Sequence, residues 1–320
     1  MLRRRQYHSA HRLSDGKVIV FGGDEQINPS AAHNAVPEVE LYTPDPNGGP
    51  GSWSLVLQLA EPRYGHAACP LGDDTILLAG GMNATGNGVK QSFAIYTYRP
   101  NGPTVHDVQM SVQGLATARA YANCVALPTG RVLVVGGHDA AGNALSSAEL
   151  VDPVARTTQP AAAMQRARKF FTADRLPDGK VLVTGGLDGA NTRVTSEIYI
   201  SNANGQGQWA DTGALAAGRS SHATVVLRDG RILAMGGRGQ VETALKSAEL
   251  FENGAWTPAC DMTIARSWMP AAIMENGRVL VPGGYNGVVI ANVDTYEPGL
   301  SCGAKGIGVA CGDDSACASG

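Results

Sequence analysis

Two residues beyond each of six recurring arginines stand Tyr7, Gly65, Tyr121, Phe170, Ser221 and Trp268, with Tyr64 beside the glycine. Four of the six are aromatic in a chain that is only 6% aromatic, and aromatic faces among polar neighbours suit the C–H faces of sugars or the apolar side chains of a peptide. One residue further on come His8, His66 and His222, which with Lys169 are the only groups at this level able to act as acid or base. A zinc ion would need the three histidine nitrogens within about 2.0–2.1 Å of it. The histidines recur at one repeat position in three separate repeats, so they read as packed residues and not as a metal site. No Gly-x-Ser-x-Gly, no phosphate-cradling loop opening a helix and no paired carboxylates with a mechanism occur. No catalytic residue is therefore assigned, and no metal ligand.

The elements that must hold these residues follow from a repeat. A Gly-Gly pair ends an apolar run six times, beginning at Gly22, Gly80, Gly136, Gly185, Gly236 and Gly283, with spacings of 58, 56, 49, 51 and 47 residues. In every copy an arginine lies 17 residues earlier: Arg5, Arg63, Arg119, Arg168, Arg219 and Arg266. Between arginine and glycines each unit reads as a hairpin, turned at Asp15-Gly16, Thr129-Gly130, Asp178-Gly179, Asp229-Gly230 and Asn276-Gly277, where glycine supplies the positive φ of a tight turn; the second unit has Gly72-Asp73-Asp74. Second strands such as Val132–Val135 show no polar alternation, which predicts sheets covered on both faces. Pro282 predicts that its strand bulges or ends there.

A third strand carries an acid two residues before an apolar or aromatic residue: Glu40, Glu149, Glu197, Glu249 and Asp294, with Tyr96 in the second unit. A fourth strand is marked by Trp53, Trp209 and Trp256. Repeat register, overriding helix propensity, puts the Ala-rich stretch from Ala161 to Arg166 in a fourth strand and its loop. A catalytic pair is needed once, so the recurrent arginine and acid are read as structural partners within each unit, and Arg63 must be satisfied otherwise. Four-stranded antiparallel units of this period pack as propeller blades, so the expected fold is all-β: a six-bladed β-propeller spanning residues 1–300, followed by a Gly/Cys-rich tail, 301–320. The first strands would line the central opening, and the loops after Gly-Gly would share the end that carries the aromatic residues. Those loops add Asp24, Glu25, Asn83, His138, Asp139, Asp188, Arg238, Tyr285 and Asn286. The expected ligand-binding set is Tyr7, Tyr64, Tyr121, Phe170, Ser221, Trp268, His138, Asp188, Arg238 and Tyr285.

The Gly-Gly at the end of strand two, the acid and aromatic on strand three and the Trp on strand four resemble the Kelch repeat. Arg-x-x-His followed by Asp-Gly-Lys-Val resembles the galactose oxidase-like Kelch propellers. The resemblance covers residues 5 to 298 and implies a fold, while one such scaffold carries oxidases, isomerases, substrate receptors and lectin-like modules. The reading is a Kelch-type binding or interaction module for carbohydrate or extended peptide, with no cofactor. The alternative is an oxidoreductase or sugar-modifying enzyme, and copper belongs to that alternative alone. Tyr7-His8-Ser9 looks like the family's Tyr-His copper segment and Tyr121 imitates its second tyrosine. However, no domain of a hundred residues follows to bring another histidine, and neither Cys69 nor Cys124 lies where the cross-linking cysteine is expected.

Net charge −3 with a single Arg3-Arg4-Arg5 cluster excludes nucleic acid as a partner, and apolar runs of four or five residues exclude a membrane helix. The first residues begin like a signal peptide without the apolar stretch that must follow. Cys69 and Cys124, in first strands, are expected to be buried free thiols. Cys302, Cys311 and Cys317 resemble the Cys-rich appendages of exported proteins and point toward export, and Cys260 is placed to pair with one of them.

Overall fold

Each repeat forms one antiparallel sheet because its second strand is almost entirely apolar and rich in Val, Ile and Leu, and so must be covered by a strand on either side. In the third repeat Val132–Val135 is buried throughout and pairs with Asn123–Ala126 on one edge and Ala148–Asp152 on the other, with Thr157–Ala161 outermost. Gly130, at φ +78°, closes the hairpin by donating its N–H to Leu127 O at 3.1 Å.

The computed structural model describes residues 1–25, 33–83, 88–202, 206–241 and 243–297, and no helix occurs among them. The fold is an all-β, six-bladed β-propeller. One compact unit, Met1–Arg166 with Asn202–Gly207, holds three blades. The first is Ser9–Arg12, Val18–Phe21, Glu38–Thr43 and Ser52–Gln58; the second is Ala67–Gly72, Thr75–Ala79, Phe93–Tyr98 and His106–Met110; the third is given above. The other unit, Ala167–Ser201 and from Gln208 on, holds three more. The fourth blade is Thr172–Arg175, Val181–Thr184, Ser196–Ile200 and Gln208–Asp211; the fifth is Ala223–Val226, Ile232–Met235, Ala248–Glu252 and Ala255–Ala259. The sixth has three strands among the described residues, Ala272–Ile273, Val279–Pro282 and Val293–Tyr296, the second ending at its proline. The fourth strand of blade three stops at Ala161, so register prevails over propensity in the Ala-rich stretch. Trp53, Trp209 and Trp256 face Tyr42, Tyr199 and Phe251 across the outer strand pairs, with ring centroids 5.2, 5.1 and 5.1 Å apart. The tail, 301–320, with its three cysteines lies outside the described residues.

The 17-residue spacing has a geometric cause. The Nη1 of each arginine donates to the carbonyl of the first glycine of its own pair: 2.7 Å for Arg5 to Gly22, 2.9 Å for Arg63 to Gly80 and 3.0 Å for Arg119 to Gly136. Arg168, Arg219 and Arg266 reach Gly185, Gly236 and Gly283 at 2.7, 2.9 and 2.7 Å. In every blade but the second the guanidinium also meets the buried acid of its blade: Arg5 with Glu40, Arg119 with Glu149 (2.8 Å), Arg168 with Glu197 (2.8 Å), Arg219 with Glu249 (2.6 Å) and Arg266 with Asp294 (3.0 Å). The acid further accepts from the loop before the arginine. Glu149 takes the N–H groups of Ala116 and Thr117, and Glu249 those of Ala216 and Ala217. A buried ion pair whose remaining lone pairs are filled in this way offsets much of its desolvation. In blade two Arg63 finds Ser92 Oγ at 3.1 Å and Glu61 at 3.4 Å, and burial lowers it to about 10.

Neighbouring blades are docked through the same motif. The second glycine of one pair donates to the carbonyl of the next blade's arginine: Gly23 to Arg63 at 3.0 Å, and Gly81 to Arg119, Gly186 to Arg219 and Gly237 to Arg266 at 2.8 Å. A Cβ at Gly80, whose φ is +64°, would strike the Arg119 carbonyl. Only glycine fits there.

Cys69 and Cys124 are joined in a disulfide, with Cα atoms 5.8 Å apart, so the expectation of free thiols is overturned. Cys69 stands six residues after its arginine and Cys124 five after its own. Adjacent strand positions point to opposite faces. The first strands of blades two and three lie side by side, so one thiol faces forward, the other faces back, and they meet between the blades.

Candidate functional site at the loop end

At the end of each blade where the loop leaves the Gly-Gly pair, the residue after the arginine bridges the residue immediately past the pair: Gln6 with Asp24, Tyr64 with Met82 and Ala120 with His138 in the first unit, and Lys169 with Leu187, Ser220 with Arg238 and Ser267 with Tyr285 in the second. Loop candidates and aromatic residues thus sit within one bridge of each other in every blade but the fifth, which has Ser220 and Ser221 there. The next residue is left-handed in all six: Tyr7 (φ 55°), Gly65 (58°), Tyr121 (49°), Phe170 (55°), Ser221 (50°) and Trp268 (56°). This turn aims its N–H at the preceding blade, giving Gly65 to Tyr7 (3.0 Å) and Tyr121 to Gly65 (2.7 Å) in the first unit, and Ser221 to Phe170 (2.8 Å) and Trp268 to Ser221 (2.9 Å) in the second.

In the first unit Tyr7 and Tyr121 meet edge to face at 5.5 Å, and Tyr121 lies 5.6 Å from His138, whose Nδ1 is 2.8 Å from Asp139 O. A Cβ on Gly65 would press into the Tyr121 ring at 2.9 Å, so the glycine makes room for it. Burial and the neighbouring Tyr7, Tyr64 and Asp24 raise the Tyr121 hydroxyl, and burial with Asp24 and Tyr7 raises Tyr64. Both phenols are neutral donors.

Blade one also holds a group that repeat reasoning passed over. Asp24 is fully buried and accepts from Asn34 N–H at 2.8 Å and from His33, whose Nδ1 is 2.7 Å away. The His33 ring stacks on Tyr64 at 5.2 Å and 21°. His33 has no counterpart in the repeat; only its nearness in sequence to Asp24, within one loop, signals it.

In the second unit Phe170 and Trp268 meet edge to face at 5.1 Å, and Lys169 Nζ lies 6.0 Å from the Phe170 centroid. Trp268 and Tyr285 remain 38% and 39% exposed. Asp188 pairs with Arg193 at 2.5 Å, and Gln240 ties the neighbouring loop to Thr192 (2.9 Å) and Asn191 (3.1 Å). Ser221 is buried and serves the backbone link.

His66 and His222 face the preceding blades, at 2.9 Å from Ser9 Oγ and 3.2 Å from Thr172 Oγ1, and burial lowers each to about 3. Among the described residues no three His, Cys, Asp or Glu side chains converge on a metal position. The residues also do not fit the copper group of the oxidase resemblance, because Cys69 and Cys124 are tied to each other and neither can be cross-linked to a tyrosine.

No family model and no curated protein matches this chain. A solved structure described as that of YjhT superposes with a TM-score of 0.71 over 95% of this chain and 97% of that one, at 12% identity. At that identity the likeness shows the fold alone.

Proposed function

We propose that this propeller is a binding module that takes carbohydrate on the aromatic-lined end where the Gly-Gly loops emerge. The observation that carries the reading is the mismatch between side chain and backbone at the left-handed positions. That conformation costs a non-glycine residue about 1–2 kcal/mol, and Gly65 is the unstrained solution. Tyr7, Tyr121, Phe170 and Trp268 hold large rings there instead, so the rings are present for their faces and not for the turn. With Trp268 and Tyr285 open to solvent beside polar loop residues, the surface suits stacking on sugar C–H faces. The Kelch-type repeat pattern supports a binding role, and the Cys69–Cys124 disulfide supports export to an oxidising compartment.

The test is a glycan array with the wild-type protein beside a Tyr121→Ala/Phe170→Ala/Trp268→Ala variant. Binding by the wild type alone supports the reading. No binding by either sinks it and shifts the assignment to an extended peptide, measured next on a displayed peptide library.

A further inference from the structure

The structure assigns Asp24, His33 and Tyr64 to recognition of a hydroxyl group on a neutral, hydroxyl-rich ligand. This deepens the carbohydrate reading and rests on it. A carboxylate only accepts hydrogen bonds, so the 2.7 Å contact between His33 Nδ1 and Asp24 Oδ2 places a proton on Nδ1, which in the neutral ring leaves Nε2 as an acceptor. Asp24 has no exposed side-chain surface, while the His33 side chain is 41% exposed. A buried carboxylate is thus used to fix the ring orientation of an imidazole that faces solvent, an outer-sphere arrangement of the kind that sets tautomers in functional histidines.

Stacked on that imidazole at 5.2 Å is Tyr64, 1% exposed, whose phenol has no hydrogen-bond partner among the described residues. His33 Nε2 likewise makes no hydrogen bond among them. An unfilled acceptor and an unfilled donor on stacked rings match one chemical group well, since a hydroxyl both donates and accepts. One ligand hydroxyl donates to His33 Nε2 and accepts from Tyr64 Oη. The adjoining Tyr7 and Tyr121 rings supply the apolar faces that a sugar ring presents its C–H bonds to. Asp24, together with the nearby Glu25, which pairs with Arg3 at 3.3 Å, disfavours an anionic ligand here.

The experiment combines nitrogen NMR of histidine-labelled protein with glycan binding by His33→Ala and Tyr64→Phe. In mildly alkaline buffer His33 is expected to carry its proton on Nδ1, and Asp24→Asn to lose that preference. An Nε2–H tautomer in the wild type overturns the assignment whatever the array shows. A glycan bound by the wild type is expected to bind each variant about tenfold more weakly, the worth of one hydrogen bond, and to shift the His33 Nε2 resonance. Equal binding by both variants overturns the assignment while leaving the carbohydrate reading intact. Should the array be silent, that reading falls, and free glucose, galactose and inositol are titrated into the labelled protein. Movement of the Nε2 resonance then supports the hydroxyl site, and no movement overturns it.

Discussion

Thr224 Oγ1 donates a hydrogen bond to Asp174 Oδ2 at 2.8 Å from the pair of repeat positions that Cys124 and Cys69 occupy in the other unit, five residues and six residues after their arginines. One place between blades thus holds a covalent bond in one unit and a polar contact in the other.

The first prediction follows from that equivalence. Asp174→Cys with Thr224→Cys is expected to form a further inter-blade disulfide, seen as a mass loss of two hydrogens without reductant. Closing a loop of this length stabilises by about 4 kcal/mol in the chain-entropy view. Removing the native Cys69–Cys124 bond with Cys69→Ala and Cys124→Ala should cost a similar amount, read as a fall in urea midpoint. An unchanged midpoint would contradict it.

Asp174 also sets a pH dependence. The residue keeps some solvent exposure, yet desolvation of its carboxyl raises it to about 6, above its ordinary 3.8. A raised carboxyl binds its proton more tightly when folded, so its contribution is fully present below the unfolded value and is lost as pH rises through 6. Asp174→Asn should therefore match the wild type in acid and exceed it, by up to roughly 3 kcal/mol, above neutrality. Denaturation curves at both ends of that window check the sign.

The histidines act in the opposite direction. His66 and His222 are lowered to about 3 by burial and by the neighbouring Arg63 and Arg219, and each has a buried Nδ1 without a partner. Their neutral form is the folded form. Stability they support is present above the ordinary histidine range and is lost as pH falls from 6.5 toward 3. His222→Gln, which cannot charge, should flatten the acid limb of the stability profile; an unaltered limb would count against this account.

Glu149 and Glu61 give a contrast in one experiment. Glu149→Ala strands the Arg119 guanidinium and the N–H groups of Ala116 and Thr117, and should cost about 3–5 kcal/mol. Glu61, 41% exposed and 3.4 Å from Arg63, should cost about 1 kcal/mol or less when removed. Urea denaturation separates the two.

Glycines of equal backbone hand should differ as sharply. Gly16→Ala meets nothing within 4 Å at φ +84° and should cost about 1–2 kcal/mol. Gly80→Ala meets the Arg119 carbonyl and should cost well beyond that, read as a far lower thermal midpoint or failure to fold.

Much of this was legible in the sequence where the repeat made it redundant. Six arginines at one spacing announced a fixed contact, and the structure shows it to be the Arg Nη1 bond to the glycine carbonyl. The loop end of each blade was legible for the same reason. The disulfide was missed because Cys69 and Cys124 differ by one in their offsets, and that difference in parity is what turns the thiols toward each other. The left-handed turn at Tyr7 and Trp268 was hidden because aromatic residues are poor witnesses to positive φ, and Gly65 alone hinted at it. His33 lies in a loop with no register, where nearness in sequence to Asp24 is a faint signal and the stacking on Tyr64 appears only in three dimensions.

The bond from arginine to its own glycine carbonyl also governs where this chain can change length. Between Arg119 and Gly136 an inserted residue would pull the guanidinium off its acceptor and, through Gly81, unsettle the blade before it. Beyond each glycine pair no such measure applies, and there the repeats already differ, from 47 to 58 residues. Insertions and deletions are therefore channelled to the loop after the glycines and to the turn between the third and fourth strands, which runs from two residues after Glu252 to eight after Thr43, so a lineage can remodel the blade ends while the interior stays in frame.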